Sequence, residues 1–448
     1  MASVVETAPY ADQRATGVYH QVDVPRNVVA FTADMAAFMV GTYFIPATTV
    51  LVGLAAQLTD DKTLIGAVGM AWPVSWFLPQ LIAAQIVRGR RWQKPYLVVP
   101  SLLGRNAFLL IALWLLITQA QAPVLTIWVL IGGIALFNLC DALAGVAWFD
   151  MLSRALSPRV RARAVSVGQF VGAVLGVGAG IIVERVLSPQ GLPFPQNYAL
   201  IFGCTWVCMM LSLGLIALVR ETPMDETESA HAQRQGFVRS LFEALRTDRL
   251  FVRVLVVRLL TGVELMAASF YLVFARDQLG LGNSATGIFN MALIIGGIVG
   301  IALFGWVADR FTALGVLRTA AFMQLLAPCI ALAFVFVSAD GIWQLVGLIA
   351  FVIVFALRGA IEHSLVIGVV GYLLDAAAER HRAMYVGALN TLGGIVALSP
   401  LLGGVWLDGL SATGQGELGY AVMFGGVALI AGTGAWLSLK LPRVSRQP

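Results

Sequence analysis

Apolar positions in this chain are grouped by segment, not by turn: long hydrophobic runs alternate with short stretches that carry most of the arginines. A helix that crosses a bilayer needs about 20 mostly apolar residues. Twelve segments meet that requirement, at 28–56, 63–87, 96–117, 122–149, 164–186, 199–219, 251–275, 285–307, 319–338, 342–374, 383–407 and 418–440. An even number of spans puts both termini on one side. The longest interruption, 220–250, follows the sixth span and divides the chain into an N-terminal segment (1–27), a first set of six spans (28–219), a linker, a second set (251–440) and a tail (441–448). Within the linker Phe237, Leu241 and Leu245 recur at spacing four, with Arg239, Arg246 and Arg249 elsewhere around the turn. That pattern predicts an amphipathic helix on the membrane surface, or equally a solvated connector.

Composition agrees with the pattern. Hydrophobic residues make up 59% of the 448 positions, charged residues 12%, and the mean hydropathy is +0.85, whereas a soluble domain is roughly 25% charged. The chain is therefore expected to be an all-α, multi-pass integral membrane protein. Its first thirty residues include Glu6, Asp12, Arg14, Asp23 and Arg26 and lack a basic start followed by an apolar core, so no cleavable signal is expected. Basic residues cluster in alternate connections, with Arg88, Arg90, Arg91 and Lys94 in one and Arg154, Arg159, Arg161 and Arg163 in the next on that side, against Lys62, Arg185 and Arg276 on the other. By the positive-inside rule both termini are cytoplasmic, in a plasma (inner) membrane. The same placement explains a pI near 9.2 without nucleic acid as a partner.

Several chemistries find no support. Cys140, Cys204, Cys208 and Cys329 lie in apolar spans without paired spacing, which favours packing over disulfide or metal roles. No phosphate-binding GxxxxGK[ST] loop, HExxH or serine elbow occurs, so neither ATP-driven transport nor enzymatic activity is expected, and no cofactor or metal.

Two stretches correspond across the halves. "RAVSVG" (163–168) opens the fifth span and "RAMYVG" (382–387) the eleventh, each after a loop that begins with an acid, Asp150 or Asp375, and ends in arginines. Duplicated halves with a site between them are common in transporters. "GWVADRFTALGVLR" (305–318) carries Gly305, Asp309 and Arg310 and resembles the G-x-x-x-D-R loop motif of the major facilitator superfamily, with Thr312 where that motif has glycine. The loop between spans two and three, where the motif is usually stronger, keeps only basic residues. "SPLLGG" (399–404) is similar to a G-P-x-x-G-G pattern of exporters in the same superfamily, and span five has Gly168, Gly172, Gly176 and Gly180 at steps of four. The resemblance implies twelve transmembrane helices in two pseudo-symmetric six-helix bundles, a monomer that moves a small molecule through the lipid bilayer, and a cytoplasmic gate at Gly305, Asp309 and Arg310.

Charges at the centre of a span cost about 2.5–3.5 kcal/mol each and normally face a bundle interior or a wet cavity. The chain keeps Asp34, Arg105, Asp141, Arg258, Glu264, Arg358, Glu362 and His363 within spans, and the orientation predicts that they form one polar layer near mid-membrane. Arg358 and Glu362 are four residues apart and are expected to pair along their helix, either as a fixed lock or as a proton switch with His363. Pairing of Asp34 or Asp141 with Arg105 is also expected, whereas Glu264 has no arginine one turn away. Pocket candidates are Tyr43, Trp72, Trp76, Gln80, Phe270 and Tyr271, whose aromatic surfaces suit an amphipathic or cationic solute if they do not simply pack. Together these features point to a secondary transporter coupled to protons, with export favoured. The alternatives are uptake of a sugar or organic acid and a non-transporting sensor or assembly factor of the same fold.

Overall fold

The computed structural model describes residues 23–87, 90–221, 223, 246, 248–337, 341–362, 364–376 and 382–443, and among them every regular element is helical. The expected amphipathic linker helix lies almost wholly outside the described residues, and so does His363.

The helices follow the apolar runs. Span one comprises α1 (Val24–Phe44), a π-helical turn (Ala47–Leu51) and α2 (Val52–Leu58), interrupted at Pro46, whose nitrogen has no hydrogen to donate. Span two is α3 (Lys62–Phe77) and α4 (Gln80–Val87), parted at Leu78 and Pro79. Spans three to six are α5 (Lys94–Thr118), α6 (Pro123–Ala155), α7 (Pro158–Leu187) and α8 (Gln196–Ala217). Span seven, expected as one helix, is three: α9 (Arg249–Gly262), α10 (Glu264–Ala268) and α11 (Tyr271–Asp277). The element α12 (Ser284–Ala333) holds spans eight and nine, which turn at Thr312. Span ten is α13 (Ile342–Glu362), a π segment (Leu365–Val370) and α14 (Gly371–Ala376). Span eleven is α15 (Arg382–Val396) and α16 (Ser399–Ser411), and span twelve is α17 (Gly416–Leu439). Among the described residues nine helical stretches are long and apolar enough to cross a membrane. One of them is the double span α12, and spans two and seven are broken into shorter pieces, which accounts for the expected twelve.

Each half packs around its own helices. In the first, α1 lies against α7 and α8, and α5 against α6 and α8; in the second, α12 lies against α13 and α17, and α9 against α17. The halves meet along two seams, α7 on α12 and α3 on α16. Val99, Leu103, Leu110 and Ile117 are exposed along α5, an apolar face for lipid chains.

The seam between α3 and α16 is tightest at the end away from the arginine-rich connections. A Cβ added to Gly66 would lie 2.3 Å from the carbonyl oxygen of Pro400, and one added to Gly404 would lie 2.2 Å from that of Lys62. Only glycine allows backbones so close. The "SPLLGG" stretch is thus a contact of span eleven with span two. Asp408 completes it: its carboxylate accepts from the Lys62 and Thr63 backbone N–H groups at 2.9 and 2.7 Å and from Thr63 Oγ1 at 2.5 Å. A carboxylate from one half therefore caps the N-terminus of a helix in the other. Lys62 Nζ adds an ion pair with Asp277 at 2.5 Å.

Candidate functional site

Between the halves lies a cavity of about 530 Å³, near mid-chain of the crossing helices. From the first half Tyr43, Trp72, Trp76, Asn138 and Asp141 reach it; from the second come Arg258, Glu264, Gln324, Arg358 and Glu362. The remaining lining is largely apolar. A mostly apolar concavity with a few converging polar groups is the usual form of a small-molecule site.

The second half presents the main ion pair. Arg358 Nη1 donates to Glu264 Oε2 at 2.9 Å, across the gap between α13 and α10. This corrects the expected pairing of Arg358 with Glu362, and it gives Glu264, which has no arginine one turn away on its own helix, one from another span. The physical reason is burial. Glu264 is 1% exposed, so leaving its carboxylate uncompensated would cost far more than the few tenths of a kcal/mol available from a pair along one helix. Glu362 is exposed to the cavity and has less need of a partner. Helix packing sets the direction: a Cβ at Gly359 would sit 1.8 Å from the Leu293 carbonyl oxygen, and Gly296 and Gly300 receive Ala356 and Ala360. That face of α13 is pressed on α12, which leaves Arg358 turned toward α10. The break at Val263 brings Glu264 to the start of its own short helix. Tyr271 lies close enough to act on Glu264, although neither its Oη nor Glu264 Oε1 makes a hydrogen bond of normal geometry.

The first half holds a separate network. Asp34 accepts from Ser212 Oγ at 2.5 Å and from Trp148 Nε1 at 2.8 Å. Arg105 Nη1 donates to the Met209 carbonyl at 2.7 Å and to Ser212 Oγ at 3.1 Å, and its guanidinium lies over the Phe38 ring, 5.6 Å from the centroid. Among the described residues Arg105 makes no ion pair with Asp34 or Asp141; Ser212 stands between it and Asp34. Asp34 and Arg105 lie behind the cavity wall, and Asp141 is the member of this group that reaches the lining. The expected single layer is thus two clusters, one in each half.

The pocket candidates divide in the same way. Tyr43, Trp72 and Trp76 line the cavity. Gly176 makes room for the Tyr43 ring, since a Cβ there would lie 2.3 Å from it, and Trp72 leans on Phe137 with centroids 5.4 Å apart. Phe270 and Tyr271 do not line it: both are fully buried, with Tyr271 against Phe424 at 5.6 Å, and they pack. Gln80 lies beyond the break in span two and is not part of the lining. Asn138 and Gln324 are polar lining groups that the sequence does not single out; each is an uncharged amide within an apolar span.

At the proposed cytoplasmic gate the latch is not engaged. Asp309 and Arg310 are exposed and make no hydrogen bond or ion pair among the described residues. A side chain added to Gly305 would meet nothing within 4 Å, so its expected role in close helix approach is not used in this conformation. Thr312, two residues on, has φ 70° and ψ 175°, a region that side chains other than hydrogen rarely occupy.

Comparison with known proteins agrees with this architecture. The chain is similar to a mutant form of the nucleoside transporter NupG, with a TM-score of 0.65 and 13% identity over 93% of this chain and 100% of that one. It is similar to the peptide transporter POT in complex with sulfate, with a TM-score of 0.66 and 11% identity over 94% and 96%. A bacterial homolog of the human lysosomal transporter Spinster, in an inward-facing and unoccupied conformation, gives a TM-score of 0.61 and 15% identity over 94% and 96%. No curated protein matches the sequence. These likenesses show the fold, and the model of the Major Facilitator Superfamily matches residues 28–400. Twelve spans in two bundles around one cavity, together with that match over most of the length, make this chain a secondary transporter of the Major Facilitator Superfamily.

Proposed function

We propose that the protein exports an amphipathic organic solute in exchange for protons, with its two six-helix bundles rocking about the central cavity and both termini in the cytoplasm. The observation that carries the coupling is the Arg358–Glu264 pair, 2.9 Å across the cavity wall, with Glu362 one turn beyond Arg358 on the same helix. Arg358 holds Glu264 through Nη1 and has further N–H groups for a second acceptor. A movement of Arg358 toward Glu362 or toward a solute leaves Glu264 buried without its cation, the arrangement in which a carboxyl takes up a proton. The switch therefore involves Arg358 and Glu264 across two spans, not Arg358 and Glu362 along one. Glu264 stands at a break in span seven, where a change of side-chain charge can be transmitted to the helix ends.

The positive-inside distribution supports an inward-facing state: the end with Asp408 and Lys62 is closed, and the cavity lining reaches Leu317 and Val369 toward the arginine-rich end. Export rests on the exporter-like "SPLLGG" stretch, which in this fold forms the closing seam of spans two and eleven.

The test is transport in proteoliposomes. Glu264→Gln is expected to abolish accumulation driven by a pH gradient, by at least tenfold, while solute counterflow persists. Unchanged gradient-driven accumulation in that variant would remove Glu264 from the coupling step. Loss of both activities with a lowered melting temperature would make the pair a structural lock.

A further inference from the structure

Resting on the transporter reading above, we infer that the solute is an organic anion, with a carboxylate or phosphate group held by Arg258 and a flat apolar body against Trp72, Trp76 and Tyr43. Arg258 lines the cavity from α9. Among the described residues its side chain makes no hydrogen bond and no ion pair. Its guanidinium lies beside Gly262, where a Cβ would come within 2.8 Å of Nη1, so the glycine leaves the space that the side chain occupies.

Of the acids that line the cavity, Glu264 is bound to Arg358, Glu362 and Asp141 make no ion pair among the described residues, and none of the three is bonded to Arg258. The charge that bears on Arg258 is that of Arg358, of the same sign. Arg358 itself uses Nη1 for Glu264 and makes no hydrogen bond through Nη2. Two guanidinium groups thus border one space, one of them wholly uncommitted and the other half-committed. A guanidinium in a largely apolar cavity favours an oxyanion with two oxygens placed to accept two parallel N–H groups, and a carboxylate or phosphate supplies it. A cationic solute would instead meet the like charge of Arg258 and Arg358, with Glu362 and Asp141 the acids left to receive it.

The opposite wall fixes the rest of the class. Trp72 and Trp76 come from α3 and Tyr43 from α1, all in the first half, whereas Arg258 and Arg358 belong to the second. A solute with an apolar ring system and one anionic group would bridge the two halves, with its charge on one and its body on the other. Such a bridging solute changes the relative energy of the two arrangements of the bundles, which transport requires.

The experiment uses the full-length purified protein and four matched probes: naphthoate, naphthyl phosphate, naphthamide and naphthylmethylamine. Binding is read by calorimetry and by thermal shift, and naphthoate against naphthyl phosphate tells carboxylate from phosphate recognition. The inference expects one or both anionic probes to bind and the amide and amine to bind at least tenfold more weakly. Arg258→Gln should weaken the anion by roughly 10- to 100-fold, with part of the affinity kept by Arg258→Lys. Because Arg258 carries an uncompensated charge in the free protein, Arg258→Gln without ligand should melt at the same or a higher temperature; a lower one would make Arg258 structural and overturn the inference. Binding of the amide or amine in preference to both anions, or equal anion binding by Arg258→Gln, overturns the inference and leaves the transporter reading standing. Failure of all four probes to bind overturns the inference, and the transporter reading falls separately only if counterflow also fails.

Discussion

At the end of the molecule bordered by α2, α3, α11 and α16, the two halves touch backbone to backbone, with Gly66 under Pro400 and Gly404 under Lys62. Asp408 caps a helix across the seam there and Lys62 reaches Asp277. At the arginine-rich end the bonds seen are within a half. Arg318 donates to the carbonyls of Ser438, Leu439 and Leu441 in its own bundle, Asp248 caps α9, and Asp150 pairs with Arg154 one turn on. Asp309 and Arg310, expected from the sequence to form a gate, are exposed. Closure of a transporter thus needs close backbones and a charge placed across the seam; charges alone, when each is satisfied within its own half, hold nothing shut.

That contrast can be broken at its strongest point first. Gly66→Leu places a side chain against the Pro400 carbonyl, where even a Cβ would be 2.3 Å away, and overpacking of this kind costs roughly 3 kcal/mol. Spin labels on α3 and α16 should show the closed end opening; an unchanged distance distribution would mean that the seam is not what closes it. Asp408→Asn should have a smaller effect, roughly 1–3 kcal/mol, because the carboxylate accepts two backbone N–H groups and a hydroxyl. The same labels should report partial opening, and a distribution like that of the unaltered protein would assign the cap no role. The smallest effect belongs to the open end. Thr312→Gly relieves a backbone conformation at φ 70° and ψ 175° and should raise stability by about 1 kcal/mol, seen as a higher melting temperature. A lower one would show that the threonine side chain makes contacts worth more than the strain.

The spans are legible in the sequence because each requires a long apolar run, and the kinks in spans one and two are marked by Pro46 and Pro79. The breaks in span seven are not, since "TGVELMAASFYLVF" (261–274) contains no proline and reads as continuous hydrophobic helix. Intramembrane charges are visible as candidates because any ionisable group in an apolar run stands out. Their partners are not visible. Glu264 and Arg358 are 94 positions apart, and only the packing of α13 on α12 decides that Arg358 faces α10 and not its own neighbour Glu362. Phe270 and Tyr271 mislead because an aromatic that packs and one that lines a cavity look alike until the helix is rotated into place. Asp408 escapes notice because it lies near a span end, where an acid is ordinary.

In the proposed mechanism the cavity opens to one side at a time, toward the arginine-rich end in the conformation described. Gln324 lines that cavity, so Gln324→Cys, in a protein whose four native cysteines are replaced, places one thiol in it. In membrane vesicles of known orientation, a membrane-impermeant maleimide should label this thiol from the side of the arginine-rich loops. Adding Asp408→Asn should carry part of the labelling to the other side. Labelling at equal rates from both sides with Asp408 intact, or solely from the side of Lys62 and Asp277, would contradict the account.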